Sequence, residues 1–183
     1  MFRRHRLAQP LLAALALVAL ALVVSACGYE SHETEVVEGE PVELGELSFN
    51  VTFSRYLNPN DTEDSAYLVG QKPPPNGESY FGVFLLVQNE SNESQPLPST
   101  VHISDADHQE YELIPSESLY AFPFGEEVEE QEQIPILDST PQQGPIEGSL
   151  ALFLLNEDAE NNRPLTLHIP GAEGEEAEVE LDL

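Results

Sequence analysis

His102, Asp105, Asp107 and His108 stand within seven residues of one another, and their types and spacing could hold a metal. Zinc wants three or four ligands converging in a tetrahedron. In an extended strand His102 and Asp105 point to opposite faces, so convergence requires the turn to fold back. Asp105 and Asp107 could hold calcium together with backbone oxygens, but the Asp-x-Asp spacing lacks the glycine and distal glutamate of the helix-loop-helix calcium loop. Aspartates in a hairpin turn more commonly accept hydrogen bonds from their own backbone N–H groups. The turn reading is preferred, so no metal and no cofactor is expected, and Asp105 and Asp107 stand as the candidates if calcium binds. Nucleophilic hydrolysis needs a hydroxyl, a histidine base and an orienting acid. The histidines beyond residue 27 are His32, His102, His108 and His168. The first falls in the acidic tether read over residues 27–44, while His102 and His168 fall on the polar sides of predicted strands. There is no Gly-x-Ser-x-Gly elbow, glycine-rich phosphate loop or dinucleotide fingerprint. Nothing beside Glu126-Glu127 or Glu129-Glu130 would raise one carboxyl selectively. No catalytic residue is assigned, and the protein is expected not to be an enzyme.

A different chemistry is written at Val24-Ser25-Ala26-Cys27. Before it, Arg3, Arg4 and Arg6 form a basic head, and Leu11 to Val24 is almost wholly Leu, Ala and Val, the layout of an export signal. That apolar run is shorter than the roughly 20 residues a spanning helix needs. Small residues before a cysteine resemble the lipobox of bacterial lipoproteins. The resemblance implies cleavage between Ala26 and Cys27, lipid on Cys27, and a protein held on the extracytoplasmic face of a bacterial cell membrane.

Composition narrows the partners. Three basic residues lie beyond the signal, Arg55, Lys72 and Arg163, against 34 acidic ones, which leaves a net charge of −31. Nucleic acid, whose phosphates require Lys and Arg, is excluded as a partner. Electrostatic adhesion to anionic lipid is excluded for the same reason, so membrane attachment falls to the acyl chains on Cys27. No cysteine follows Cys27, so stability must come from an apolar core rather than a disulfide.

The elements that would position any site are strands. Residues 27–44 are acidic without a sustained apolar period and read as a lipidated, disordered tether. From residue 45 the pattern changes. Leu47, Phe49, Val51 and Phe53 alternate with polar residues, the period of a half-buried strand. Ala66–Val69 is a possible short strand. Tyr80–Asn89 and Leu150–Leu155 are apolar on both faces, as central strands are when covered on both sides. Gly82 marks a close approach by a neighbouring element. Val101 and Ile103, then Tyr111 and Leu113, form a hairpin around Asp105–His108. Glu126–Gln133 reads as a solvated loop, and Ile134, Ile136 and Leu137 as a further short strand. Leu165, Leu167 and Ile169, then Val179, Leu181 and Leu183, close the chain. Seven or eight strands without a convincing helix argue for an all-β antiparallel sandwich over 45–183.

The strand Gly82-Val-Phe-Leu-Leu-Val-Gln-Asn89, followed by Glu90-Ser91, resembles the central strand of small bacterial lipoproteins with an immunoglobulin-like or telokin-like extracellular domain. Ile103-Ser104-Asp105, the turn Ala106–Gln109 and Tyr111 look like that family's next hairpin, with Ala106 and His108 where the family often carries a glycine. The resemblance implies an immunoglobulin-like sandwich outside the membrane and no particular activity. The expectation is a non-enzymatic, membrane-anchored lipoprotein that serves as a protein-interaction or ligand-binding module, with an envelope protein as partner. The alternative is a cation-binding or metal-handling lipoprotein, and a third class is an envelope hydrolase with a carboxylate pair in a cleft.

Overall fold

Residues 33–182 are described by the computed structural model. Cys27, Ala26 and His32 lie outside the described residues. Strand formation begins earlier than the acidic composition suggests. Within the segment predicted to be a disordered tether, Glu33–Val37 forms β1 and Pro41–Leu44 forms β2. Glu35 and Glu43 are exposed while Val42 and Leu44 are buried and Val36 packs against the core. The period is 2, and a strand tolerates acids on its solvent side. A two-residue turn, Gly45-Glu46, then leads into β3 (Leu47–Leu57), with Leu44 opposite Leu47 and Gly45 at φ +60°.

Next come β4 (Glu78–Asn89), β5 (Gln95–Pro96), β6 (His102–Ser104), β7 (Glu110–Glu112), β8 (Glu127–Val128) and β9 (Gln133–Ile134). The chain ends with β10 (Ser149–Asn156), β11 (Leu165–Pro170) and β12 (Glu176–Leu181). These make two principal sheets, ordered β1-β12-β11-β6-β7 and β10-β4-β3-β2, with β9 added beside β4 and β5-β8 as a small ribbon. The strand count exceeds the expected seven or eight largely because β5, β8 and β9 are two-residue pairings. All pairs are antiparallel except β1 with β12. Ala66–Val69 is not a strand: Asp64–Ala66 makes a 3-10 turn instead, and Tyr67 and Leu68 drop into the interior.

The core between the sheets contains Phe49, Val51, Phe81, Val83, Leu85 and Val87 from one side. It is met by Ile103, Leu165, Leu167, Ile169, Val179 and Leu181 from the other. The alternate residues of β4 and β10 face outward into a second cluster, where Tyr80, Phe84, Leu150 and Leu152 pack with Leu57, Tyr67 and Leu68. Tyr67 meets Phe84 edge-on at 5.1 Å and Tyr120 at 4.9 Å. The Ser118 hydroxyl donates to the Ala66 carbonyl at 2.8 Å, tying the covering loops together. Gly82 lies under this cover, where a Cβ would stand 2.9 Å from Leu150 Cδ1 and 3.1 Å from Leu57 Cδ1. Any side chain there would have to displace the Leu150 and Leu57 side chains.

Buried polar groups fix the loops. Asn89 donates through Nδ2 to the carbonyls of Glu93 (2.8 Å) and Glu129 (2.9 Å). Its Oδ1 accepts from the Ser91 N–H and hydroxyl. Asp64, also buried, accepts from Arg55 and from the Asn58 N–H.

Candidate functional site: a histidine pair on an open sheet face

Among the described residues, none forms over the outer face of the β1-β12-β11-β6-β7 sheet an apolar cover like that on the opposite side. Backbone register sets one row straight across it: Glu35, Glu178, His168, His102 and Glu112. The next row reads Val37, Glu180, Thr166, Ser104 and Glu110. Period-2 alternation explains the segregation. Inward-facing Ile103, Leu167 and Val179 are fully buried, so their neighbours in sequence must face out.

At the centre the rings of His102 and His168 stack, 4.4 Å apart and 3° from parallel. His168 Nε2 lies 2.8 Å from the Ser104 hydroxyl. Its Nδ1 lies 3.7 Å from a carboxylate oxygen of Glu176 and 3.7 Å from one of Glu178. His102, His168 and Glu176 each offer one ligand atom, all within 4.8 Å of one another. Partial burial lowers the His168 pKa, and the His102 ring pushes it the same way. Glu178, Glu176 and Glu110 act in the opposite direction without overcoming them. The shift favours the neutral ring, the form that can act as a ligand or as a base.

Ser104, His168 and an acid occur in the order of a hydrolase triad. Two features count against that use. The carboxylate oxygens stand beyond hydrogen-bond distance of Nδ1. Ser104 is also a strand residue whose backbone pairs on both sides, with β11 and with β7, which leaves no strand N–H aimed at a developing oxyanion.

The aspartates singled out by spacing sit elsewhere. Asp105 is buried and turned away from His102, and it closes its own turn by accepting from the N–H groups of Asp107 and Gln109, each at 3.0 Å. It also accepts from the Tyr111 hydroxyl at 3.2 Å. Burial acts to raise its pKa, yet hydrogen bonds from Gln109, Tyr111, Asp107 and Asn162 outweigh this and hold it below the ordinary carboxylate value. Tyr111 is pushed up to about 12, by burial first and then by the Asp105 charge. Asp107 is exposed, and His108 occupies the left-handed region at φ +61°, which glycine adopts most readily. Asp105, Asp107 and His108 therefore build a turn, and only His102 of the original cluster belongs to the histidine site. Ser104 shares the His102 strand, whereas His168 and Glu176 come from β11 and β12, distant in sequence, and only the strand register brings them beside it.

No family model matches the sequence, and no curated protein matches it. Among solved structures, the yjhA protein from Bacillus subtilis is similar at a TM-score of 0.54 and 13% identity, over 80% of this chain and 99% of that one. An uncharacterised β-sandwich protein from Clostridium difficile 630 is similar at a TM-score of 0.49 and 13% identity, over 84% of this chain and 97% of that one. The secreted protein MPT63 from Mycobacterium tuberculosis is similar at 0.48 and 10% identity, over 82% and 99% respectively. At such identities the likeness to the Bacillus protein concerns the fold, and the fold is a β-sandwich.

Proposed function

We propose that this chain is a lipid-anchored, extracytoplasmic protein of a bacterial envelope whose sandwich domain works as a non-enzymatic binding module. The observation that carries the reading is the Val24-Ser25-Ala26-Cys27 signal at the end of a short apolar run. It is supported by a domain that follows it without any cysteine of its own. An acidic domain with three basic residues is repelled by anionic lipid. The attachment therefore falls to acyl chains on Cys27, two of which suffice for stable anchoring. Against catalysis stands the placement of Ser104 and His168 on a paired strand surface without a free oxyanion donor. In favour of binding stands a broad polar face that no other part of the described chain covers.

The test combines localisation with reactivity. Cys27→Ala is expected to move the protein from the membrane fraction to the medium, or to leave it with an uncleaved signal. A serine-directed fluorophosphonate is expected to leave Ser104 unlabelled. Normal processing with unchanged membrane retention of the Cys27 variant would overturn the anchor, and labelling of Ser104 would overturn the non-enzymatic half.

A further inference from the structure

The geometry points to a transition-metal site on the open sheet face, with His102, His168 and Glu176 as ligands for a zinc-class divalent ion and Ser104 orienting His168. This deepens the binding-module reading by naming a ligand, and it does not depend on where the protein is anchored.

His168 stands at the centre of the site. In the tautomer that carries its proton on Nε2, the ring donates to the Ser104 hydroxyl at 2.8 Å. The Nδ1 lone pair then faces carboxylate oxygens of Glu176 and Glu178, each 3.7 Å away. With the proton on Nε2, the Nδ1 lone pair and the facing carboxylate oxygens are donors that one cation can share. Zinc sits about 2.0–2.1 Å from nitrogen and oxygen ligands, so two ligand atoms on one tetrahedral ion stand about 3.3 Å apart. The observed 3.7 Å separations need to close only slightly. His102 is in register with His168 on the neighbouring strand, and its ligand atom lies within 4.8 Å of the other two. Turning that ring out of its stack brings it onto the same ion.

The donor set selects the metal class. Two imidazole nitrogens and one carboxylate suit zinc, copper or nickel, whereas calcium takes six to eight oxygen ligands. Three protein ligands leave a fourth position for water. Ser104 holds the ring nitrogen that faces away from the metal, as outer-shell partners of ligating histidines do. The surrounding Glu35, Glu110, Glu112, Glu178 and Glu180 draw cations toward the face without choosing among them. Selectivity therefore resides in the histidine pair.

The experiment is calorimetric titration of the purified full-length protein, stripped with a chelator, using zinc and then calcium at constant ionic strength. One saturable zinc site is expected, with a melting temperature that rises with the logarithm of free zinc above its Kd, and no matching response to calcium. His168→Gln and His102→Gln should each abolish that site. Ser104→Ala should weaken it roughly tenfold or more, while Glu90→Gln, exposed just past β4 in the other sheet, should leave it unchanged. Circular dichroism confirms that each variant is folded. Saturable zinc binding that survives both histidine substitutions, an equal response to calcium, or the absence of a saturable zinc site would each overturn the assignment. Those outcomes leave the Cys27 fractionation result intact, so failure of the site and failure of the anchor are distinguishable.

Discussion

The two principal sheets share one core on their inner faces, but their outer faces have opposite fates. Outside β4 and β10, Phe84, Tyr80, Leu150 and Leu152 lie beneath Tyr67 and Leu68, with Tyr120 and Ile146 packed alongside. Outside β11, β12 and β6, the corresponding positions are Thr166, His168, Glu178, Glu180, His102 and Ser104, of which Glu180 is exposed and the others are partly buried among their neighbours. The difference was already set in the strands. Those with apolar residues on both faces demand a cover, and those that alternate do not. Covering one face consumes much of the irregular chain, including the connection from β3 to β4 and the stretch before β10. The uncovered face is left free to carry polar chemistry.

If the covered outer face is a true second core, substitutions on it should cost as much as substitutions between the sheets. Phe84→Ala and Leu85→Ala remove neighbouring side chains of β4 that are 0% and 1% exposed and point to opposite sides. Large-to-small core changes of this kind cost about 2–5 kcal/mol, a sizeable share of a typical domain's ~5–15 kcal/mol. Both variants are expected to lose several kcal/mol in denaturant melts, while Glu112→Ala on the open face shifts the midpoint no further than a surface control. A Phe84→Ala effect as small as that of Glu112→Ala would reduce the cover to a loosely draped loop.

The same contrast explains what could be read from sequence. Tyr80–Asn89 and Leu150–Leu155 were legible because unbroken apolar runs leave no solvent face to confuse the period. The hairpin around Asp105 was legible from alternation and turn residues. β1 and β2 were not, because Glu33, Glu35, Glu38, Glu40 and Glu43 make the composition look disordered, although Val36 from one sheet and Val42 and Leu44 from the other suffice to dock them on the core. The cover was illegible too: Tyr67, Leu68 and Tyr120 have no period, since they pack as isolated side chains from turns. The histidine pair lies deepest of all. His102 and His168 each read singly as polar strand residues, and only the pairing of β6 with β11 puts them side by side.

A smaller effect sharpens the comparison from the open-faced sheet, whose main buried charge is at a strand end rather than in its middle. Asp105 is 4% exposed and holds two backbone N–H groups and the Tyr111 hydroxyl. Hydrogen bonds to a charged group contribute about 1.5–3 kcal/mol, so Asp105→Ala should cost on that order at pH 7. Its folded-state pKa lies below the ordinary value. The stabilisation it contributes is therefore complete above the unfolded-state pKa, and it is lost as pH falls through the folded-state one. Wild type and Asp105→Ala should differ most near neutrality and converge in acid. A gap between them that stays constant down the whole acid limb would show that the carboxylate charge contributes nothing and that the loss is one of packing.

The smallest effect belongs to the open face itself. Glu35 on β1 is in direct register with Glu178 on β12, and like charges directly opposite each other oppose pairing. Glu35 is exposed, so its repulsion passes largely through water and should respond to salt. The Debye length shrinks from about 30 Å at 0.01 M to about 3 Å at 1 M, which brackets the distance between adjacent strands. With a chelator present to keep metal off the histidines, Glu35→Gln is expected to raise the melting temperature slightly at 0.01 M salt and not at all at 1 M. Phe84→Ala should show the same deficit at both, because apolar packing under the cover is indifferent to screening. Wild type itself should gain stability from salt, equally from monovalent and divalent cations at matched ionic strength so long as the divalent ion is not one the histidines bind. A salt-insensitive Glu35→Gln shift would mean that the acid ladder is held apart by geometry rather than by charge, and the two outer faces would then differ in cover alone.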